Sequence, residues 1–316
     1  MLKNILATLL LIFSVSANAQ LRWINMDTAS GDLPSSVHVY KTTDSLNGKP
    51  NIAWYMEADL KDKSLEFATD TTLNRRLTPQ QFYEKNKQPV LVVNTTFFSF
   101  ATNKNLNIVI KEGKLVGYNI HSLAGKRKDT LTWRHPLGSA IGISKERKAD
   151  IGWLYTDSLK RWPLVLPAAH TAVKDSSNFY KLNAKDKRKL KLKKWKMQTA
   201  VGGGPVLLQN GEIKITNEEE RKFYGKAIKD KHPRTAMGYT TDNKLIIVVV
   251  EGRNPGIAEG ADLIQLAQIF KEIGCLEALN LDGGGSSCML VNGKETIRPS
   301  DKKQRAVPAV FMIREK

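Results

Sequence analysis

The chain has 316 residues, 41% of them hydrophobic, which suffices for one large domain or two modest ones with a sizeable core. Its net charge of +18 invites an anionic partner, yet no nucleic-acid recognition module is visible, so a nucleic-acid binder is not expected. Residues 1–19 carry Lys3, an apolar run from Ile5 to Val15 and the small-residue pattern Ala17-Asn18-Ala19, the three parts of an export signal. The apolar run is too short to span a bilayer stably, so no transmembrane segment is expected. The expectation is a bacterial, periplasmic or secreted protein whose mature chain starts near Gln20 and forms a single domain over 20–316. No Cys follows the apolar run, which argues against a lipid anchor at that point.

In chain order, residues 20–50 read as an irregular entry with a short strand at Val37 to Tyr40. Ile52 to Leu60 alternates as a strand does. Thr78 followed by Pro79 has the form of an N-cap and N1 pair and starts a short helix. Pro89 to Val93 delivers a strand into Asn94-Thr95-Thr96-Phe97-Phe98. A polar Asn at the end of a buried strand is a site candidate, and equally a residue that bonds its own turn. Three segments share a hairpin pattern: around Glu112-Gly113, Asn210-Gly211 and Asn292-Gly293, each between apolar runs. A basic insert near 181–196 is densest from Lys185 to Lys196. It reads as a solvated face in preference to a contact for an anionic partner. A glycine cluster, Gly202-Gly203-Gly204, precedes the Pro205 hairpin. Alone it signals a bulge or strand end more often than a site.

Lys244 to Val250 is a fully apolar strand ending in Glu251-Gly252-Arg253. From Asp262 to Ile273, apolar residues recur at helical spacing, and Gly274 stands where a C′ glycine belongs. Leu276 to Leu281 is the next strand. Strand, helix and strand with short joins predict a βαβ unit over 244–281 with parallel strands, hence an α+β fold with mixed sheets and several hairpins. Glu251, Arg253 and Asp282 then share one sheet edge, where open α/β sheets bind ligands. The plainer reading of Glu251 and Arg253 is a salt bridge capping strand ends.

The segment after Leu281 is the densest signal. Asn280 and Asp282 close a strand, and Gly283, Gly284, Gly285, Ser286 and Ser287 follow before Met289-Leu290-Val291 resumes one. Successive N–H groups in such a loop can form an anion-binding nest, whereas a tight turn needs only one or two glycines. If the two strands form a hairpin, Cys275 lies roughly 20 Å from Cys288 along the strand, so two buried free thiols are expected. Arg234 with Thr235, and Arg305, bring further guanidinium groups. One Glu, one Asp, three Arg and a glycine nest suit a substrate with a sugar and a phosphate.

These residues resemble the phosphodiester glycosidase family, to which the mammalian enzyme that removes N-acetylglucosamine from a sugar-1-phospho-6-mannose diester belongs. The resemblance runs from about Val90 to the C terminus. It rests on Val93-Asn94 with Phe97-Phe98, Val201-Gly202-Gly203, Pro233 to Gly238, Glu251-Gly252-Arg253, Asn280 to Ser287, Pro299-Ser300-Asp301 and Arg305. Asn-Leu-Asp-Gly-Gly-Gly-Ser-Ser is the specific piece. Thr95-Thr96 stands where many members have glycine, and the basic insert is outside the family pattern. Residues and resemblance together assign Asp282, Glu251, Asn280 and Arg234 to catalysis. They assign Asn94, Thr95, Phe98, Gly203, Gly204, Thr235, Arg253, Gly283, Gly284, Gly285, Ser286 and Arg305 to substrate binding. The implied reaction cuts the anomeric C–O bond of a sugar-1-phosphodiester, with Asp282 or Glu251 as nucleophile or base and like charges raising the proton affinity of one. No cofactor is expected, and no His/Cys cluster has zinc-ligand spacing. The sequence carries no signal for oligomeric state. A non-catalytic binder of anionic polysaccharide, and a two-metal phosphodiesterase cutting P–O, are the alternatives.

Overall fold

The computed structural model describes residues 20–316, so the export signal read at residues 1–19 lies outside the described residues. Lys244–Val250 shows how the core is built. Its odd members, Leu245, Ile247 and Val249, enter one apolar cluster, and its even members, Ile246, Val248 and Val250, enter another. A strand buried on both faces must read as a continuous apolar run, because successive side chains point to opposite sides. One face is covered by the helix Leu263–Ile273, which packs Leu263, Leu266, Ala267 and Phe270 onto it. That helix starts at a capping box between Asp262 and Gln265 and stops at Gly274 in the left-handed region, as its sequence predicts. The second predicted helix, Pro79–Lys85, is likewise capped by Thr78 with Gln81.

The other face meets two further sheets. The eight-stranded sheet runs, in spatial order, Ile24–Asn25, Val37–Thr42, Ala53–Asp59, Lys244–Val250, Arg234–Thr240, Cys275–Asn280, Val206–Gln209 and Glu212–Ile213. A five-stranded sheet places Leu91–Asn94 between Met289–Val291 and Ala309–Glu315. A seven-stranded sheet centres on Gly138–Ile143, between Ala149–Tyr155 and Thr199–Gly202. Val93, Met289 and Phe311, Ile141 and Trp153, and Met237 and Leu279 all enter one cluster, so the three sheets share a core.

Two expectations need correction. The sheets are not mixed: the ladders of the described residues are antiparallel. Lys244–Val250 and Cys275–Asn280 do run in the same direction and are joined by the helix, but Arg234–Thr240 lies between them and pairs with both. The βαβ unit is split. Arg234–Thr240 and Lys244–Val250 form a local hairpin, and that short closure takes the neighbouring position. Nor does the glycine loop close a hairpin. It carries the chain from the eight-stranded sheet into Met289–Val291 of the five-stranded sheet. Cys275 and Cys288 are both free and buried; Cys275 opens a strand of the eight-stranded sheet, and Cys288 lies just before Met289–Val291 of the five-stranded one.

The three Gly-containing hairpins form where the sequence places them, with Glu112, Asn210 and Asn292 in the left-handed region before their glycines. In the basic insert, Ala184–Lys189 is a helix capped by Asn183 with no buried side chain. Lys185, Lys189, Lys191, Lys193, Lys194 and Lys196 are exposed, while Trp195 is buried and donates its indole N–H to Asp150. Among the described residues no helix is long and apolar enough to cross a membrane.

Candidate active site

The site lies where the five-stranded sheet abuts the eight-stranded one, and Asn94 joins them. Its register partner is Val310 in one sheet. Its side-chain N–H donates to the Asp282 carbonyl at 2.6 Å, and its oxygen accepts from the Thr235 hydroxyl at 2.8 Å and the Cys288 N–H at 3.1 Å. Asn94 and Thr235 are fully buried. Thr95 accepts from the Asp282 N–H at 2.8 Å and donates its hydroxyl to the Ala309 carbonyl. These three residues hold the glycine loop in place. Phe98 is also buried, packed on Phe100 beneath Arg76.

The loop is less of an anion nest than its sequence suggests. Asp282 N–H is spent on Thr95, Gly284 N–H on Pro233, Ser286 N–H on Gly283, Ser287 N–H on Gly284 and Cys288 N–H on Asn94. The glycines serve close approach instead. A Cβ on Gly284, which has φ +61°, would stand 2.9 Å from Arg253 Nη2. One on Gly285 would stand 2.1 Å from Arg305 Nη2 and 2.3 Å from Asp301 Oδ2. Two arginines therefore lie directly on the bare backbone of the loop. Arg305 is held by Asp301 at 2.6 and 3.0 Å and donates to the Ser286 hydroxyl at 3.4 Å. Arg253 is exposed and has φ +61°; its nearest polar partner is His232 Nδ1 at 3.5 Å. Arg234 is different. It is buried, donates to the carbonyls of Ala261 at 2.8 Å and Asp230 at 2.7 Å, and burial lowers its pKa to about 10.

Asp282 keeps some surface exposure, but its carboxyl sits deep among protein atoms, and that desolvation pushes its pKa up to about 7. The Ser286 hydroxyl, Arg305 and the Gly283 N–H oppose the rise. Like-charge repulsion from Glu251 is not among the causes, contrary to expectation. The intervening strand separates the two strand ends by two strand spacings, roughly 10 Å. Glu251 is instead committed to a structural contact, accepting from the Arg298 N–H at 3.0 Å and from the Asn254 side chain at 3.5 Å.

Asn280 is buried. Its side-chain N–H donates to the Gly204 carbonyl at 2.9 Å, and its backbone carbonyl accepts from the Gly204 N–H at 2.7 Å. A Cβ on Gly203 would meet that same carbonyl at 2.3 Å. The second glycine cluster is thus clamped to the strand end that leads into the first. The residues that sequence reasoning missed are His232, Asp301, Glu220 and Lys222. Asp301 sits inside a quoted motif and His232 immediately before one, while Glu220 and Lys222 stand in a charged run that reads as solvated surface.

Known proteins resemble this chain in sequence over part of their length and in fold. The N-acetylglucosamine-1-phosphodiester alpha-N-acetylglucosaminidase of Mus musculus is 29% identical over 106 residues, covering 31% of this chain and 20% of that protein. The SPbeta prophage-derived uncharacterized protein YomE of Bacillus subtilis is 42% identical over 83 residues, 26% of this chain and 13% of that protein. The chain therefore matches well under two thirds of the length of these relatives. Among solved structures, the zebrafish N-acetylglucosamine-1-phosphodiester alpha-N-acetylglucosaminidase catalytic domain, auto-inhibited by its pro-peptide, superposes with a TM-score of 0.58 at 21% identity. That match covers 95% of this chain and 85% of the other. A hypothetical protein from Synechocystis superposes with a TM-score of 0.60 at 14% identity, over 89% and 62% of the two chains. At these identities the structural likeness speaks for the fold. The sequence pattern of the phosphodiester glycosidases matches residues 87–314, a span that runs from Asn94 through both glycine clusters to Arg305, and on that match the chain belongs to the phosphodiester glycosidase family.

Proposed function

We propose that this protein is an exported glycosidase that hydrolyses the anomeric C–O bond of a sugar-1-phosphodiester of the N-acetylglucosamine type, releasing the sugar and a phosphomonoester. The observation that carries the reading is Asp282: a carboxyl poised near pH 7 by burial, on a glycine loop overlaid by Arg253 and Arg305. A base works best with a pKa near the working pH. Asp282 takes a proton from water directed at the anomeric carbon. The C–O bond breaks with its electron pair going to the phosphate oxygen, and the two guanidinium groups meet that charge. Phosphate leaves easily, so no strong general acid is required.

Other residues support these from behind. Asn94, Thr95 and Thr235 fix the loop, Arg234 braces the adjoining strand, and Asp301 holds Arg305. Glu251 positions the backbone at Arg298, just before the segment that carries Asp301. The test is to incubate the protein, starting at Gln20, with an N-acetylglucosamine-1-phosphodiester, with and without chelator. Equal amounts of free sugar and phosphomonoester in both arms are expected. Saturable binding with no product would make the protein a binder of anionic glycans and overturn the reading.

A further inference from the structure

Gly204 has φ +113°, and a Cβ there would lie 2.6 Å from Lys222 Cε and 2.3 Å from Glu220 Oε2. The stem of Lys222 thus crosses the bare backbone of the second glycine cluster, as Arg253 and Arg305 cross the first. Its Nζ stands 5.4 Å from the centroid of the Phe97 ring, whose face attracts an ammonium group. Glu220 is the nearby carboxylate, but its oxygens are already engaged. It accepts from the Ser139 N–H and hydroxyl, the Trp153 indole N–H, the Val206 N–H and the Thr216 hydroxyl. Lys222 forms no salt bridge among the described residues. Burial pulls its proton affinity down, only partly offset by Glu220.

Lys222 lines a cavity of about 240 Å³ together with Phe97, Asn107, Asn119 and two further charged residues, Glu220 and Arg221. The amides of the cavity are satisfied by protein: Asn107 by the Phe97 N–H and the Gly203 carbonyl, Asn119 by the Ile108 N–H and the carbonyls of Gly138 and Leu154. Of the two cations on the cavity, Arg221 is paired with Glu218, whereas Lys222 makes no direct ion pair among the described residues and has Glu220 only as a nearby counter-charge. The volume falls below the ~300–1,000 Å³ of sites for drug-sized ligands, which suits one sugar ring. Phe97 touches Phe223 edge-on at 6.2 Å, and Phe223 lies 5.9 Å beneath the Arg234 guanidinium, so the cavity adjoins the start of Arg234–Thr240, the strand that pairs with the one leading to Asp282.

We propose that this cavity is a subsite for a single sugar residue bearing an oxyanion, which pairs with Lys222 while the ring packs on Phe97. The inference rests on the glycosidase reading only in making that residue part of the substrate. Binding to the protein starting at Gln20 is measured by calorimetry with a hexose 6-phosphate, a hexuronic acid and the neutral hexose. Tenfold or tighter binding of either anionic sugar over the neutral one is expected, and which of the two binds identifies the oxyanion. Lys222→Met should abolish that preference, and should lower Tm only as far as the buried Glu220 misses its nearby cation. Lys222→Arg should keep most of it, and Asp282→Asn should keep all of it. Lys222→Gln serves as the second charge-removing variant should the Met variant fail to fold. No preference in the wild type, or a preference that survives removal of the charge, overturns the subsite. A preserved preference in a protein that hydrolyses no phosphodiester would sink the glycosidase reading and leave the subsite standing.

Discussion

Asp282→Asn is the most informative substitution, because it predicts opposite effects on stability and turnover. An ordinary aspartate has a pKa near 3.8, and burial pushes Asp282 up to about 7. At ~1.4 kcal/mol per tenfold change, the fold disfavours the charged carboxylate by about 4 kcal/mol. The native state then holds a proton that the unfolded chain has lost throughout the interval between those values. Asp282's contribution to stability is therefore full below pH 4, falls as pH rises, and is lost above about 7. The Asn variant cannot ionise, so its contribution is flat. At pH 8 it should be more stable than wild type, by up to about 4 kcal/mol, or roughly 5–10 °C in Tm. Turnover should fall by roughly 10²–10⁴-fold, the worth of a positioned base. Wild-type kcat/KM should rise with pH through about 7 and then level off, the form expected of a base. The assays are product release and thermal melts across pH 5–8. Wild-type turnover in the variant, or superimposable Tm–pH curves, would refute the reasoning.

Arg253→Ala should lose roughly a hundredfold in kcat/KM, about 2.7 kcal/mol, with Tm nearly unchanged, because the exposed guanidinium has only a long contact to His232. Gly285→Ala and Gly203→Ala should separate by assay. The first Cβ meets the movable ends of Arg305 and Asp301, so the protein should fold and lose activity, whereas the second meets the fixed Asn280 carbonyl and should not yield a stable protein. Asn94→Ala strands the Cys288 N–H and the Thr235 hydroxyl in the core. It should cost about 2–4 kcal/mol in urea unfolding, with activity falling only as the fold loosens.

Much of the local structure was legible in the sequence. The helix at 263–273 carries its own start and stop signals in Asp262, Gln265 and Gly274, and the hairpins carry their turn residues. Strand order was not legible, since periodicity reports which face is buried and says nothing of which strand lies alongside. That is why Arg234–Thr240 came between two strands expected to be neighbours, and why Glu251 and Asp282 stand apart. The sequence shows the glycine loop but not what its glycines answer to, which is the side chains of Arg253 and Arg305. Such approaches exist only after folding. Asn94 has the same ambiguity in sequence as any strand-end Asn, and only the folded chain shows its bonds to the glycine loop and to Thr235 of the neighbouring sheet. Lys222 was hidden because Glu218 to Lys222 reads as solvated charge, although Glu220 is buried beside it.

Cleavage of C–O and of P–O next to the anomeric oxygen gives the same sugar and the same phosphomonoester, so product identity alone does not locate the broken bond. Hydrolysis of the sugar-1-phosphodiester in ¹⁸O-labelled water does. Mass spectrometry of both products should find the label in the sugar and none in the phosphate. Label in the phosphate would place the attack on phosphorus and contradict the account of Asp282, Arg253 and Arg305 as glycosidase machinery.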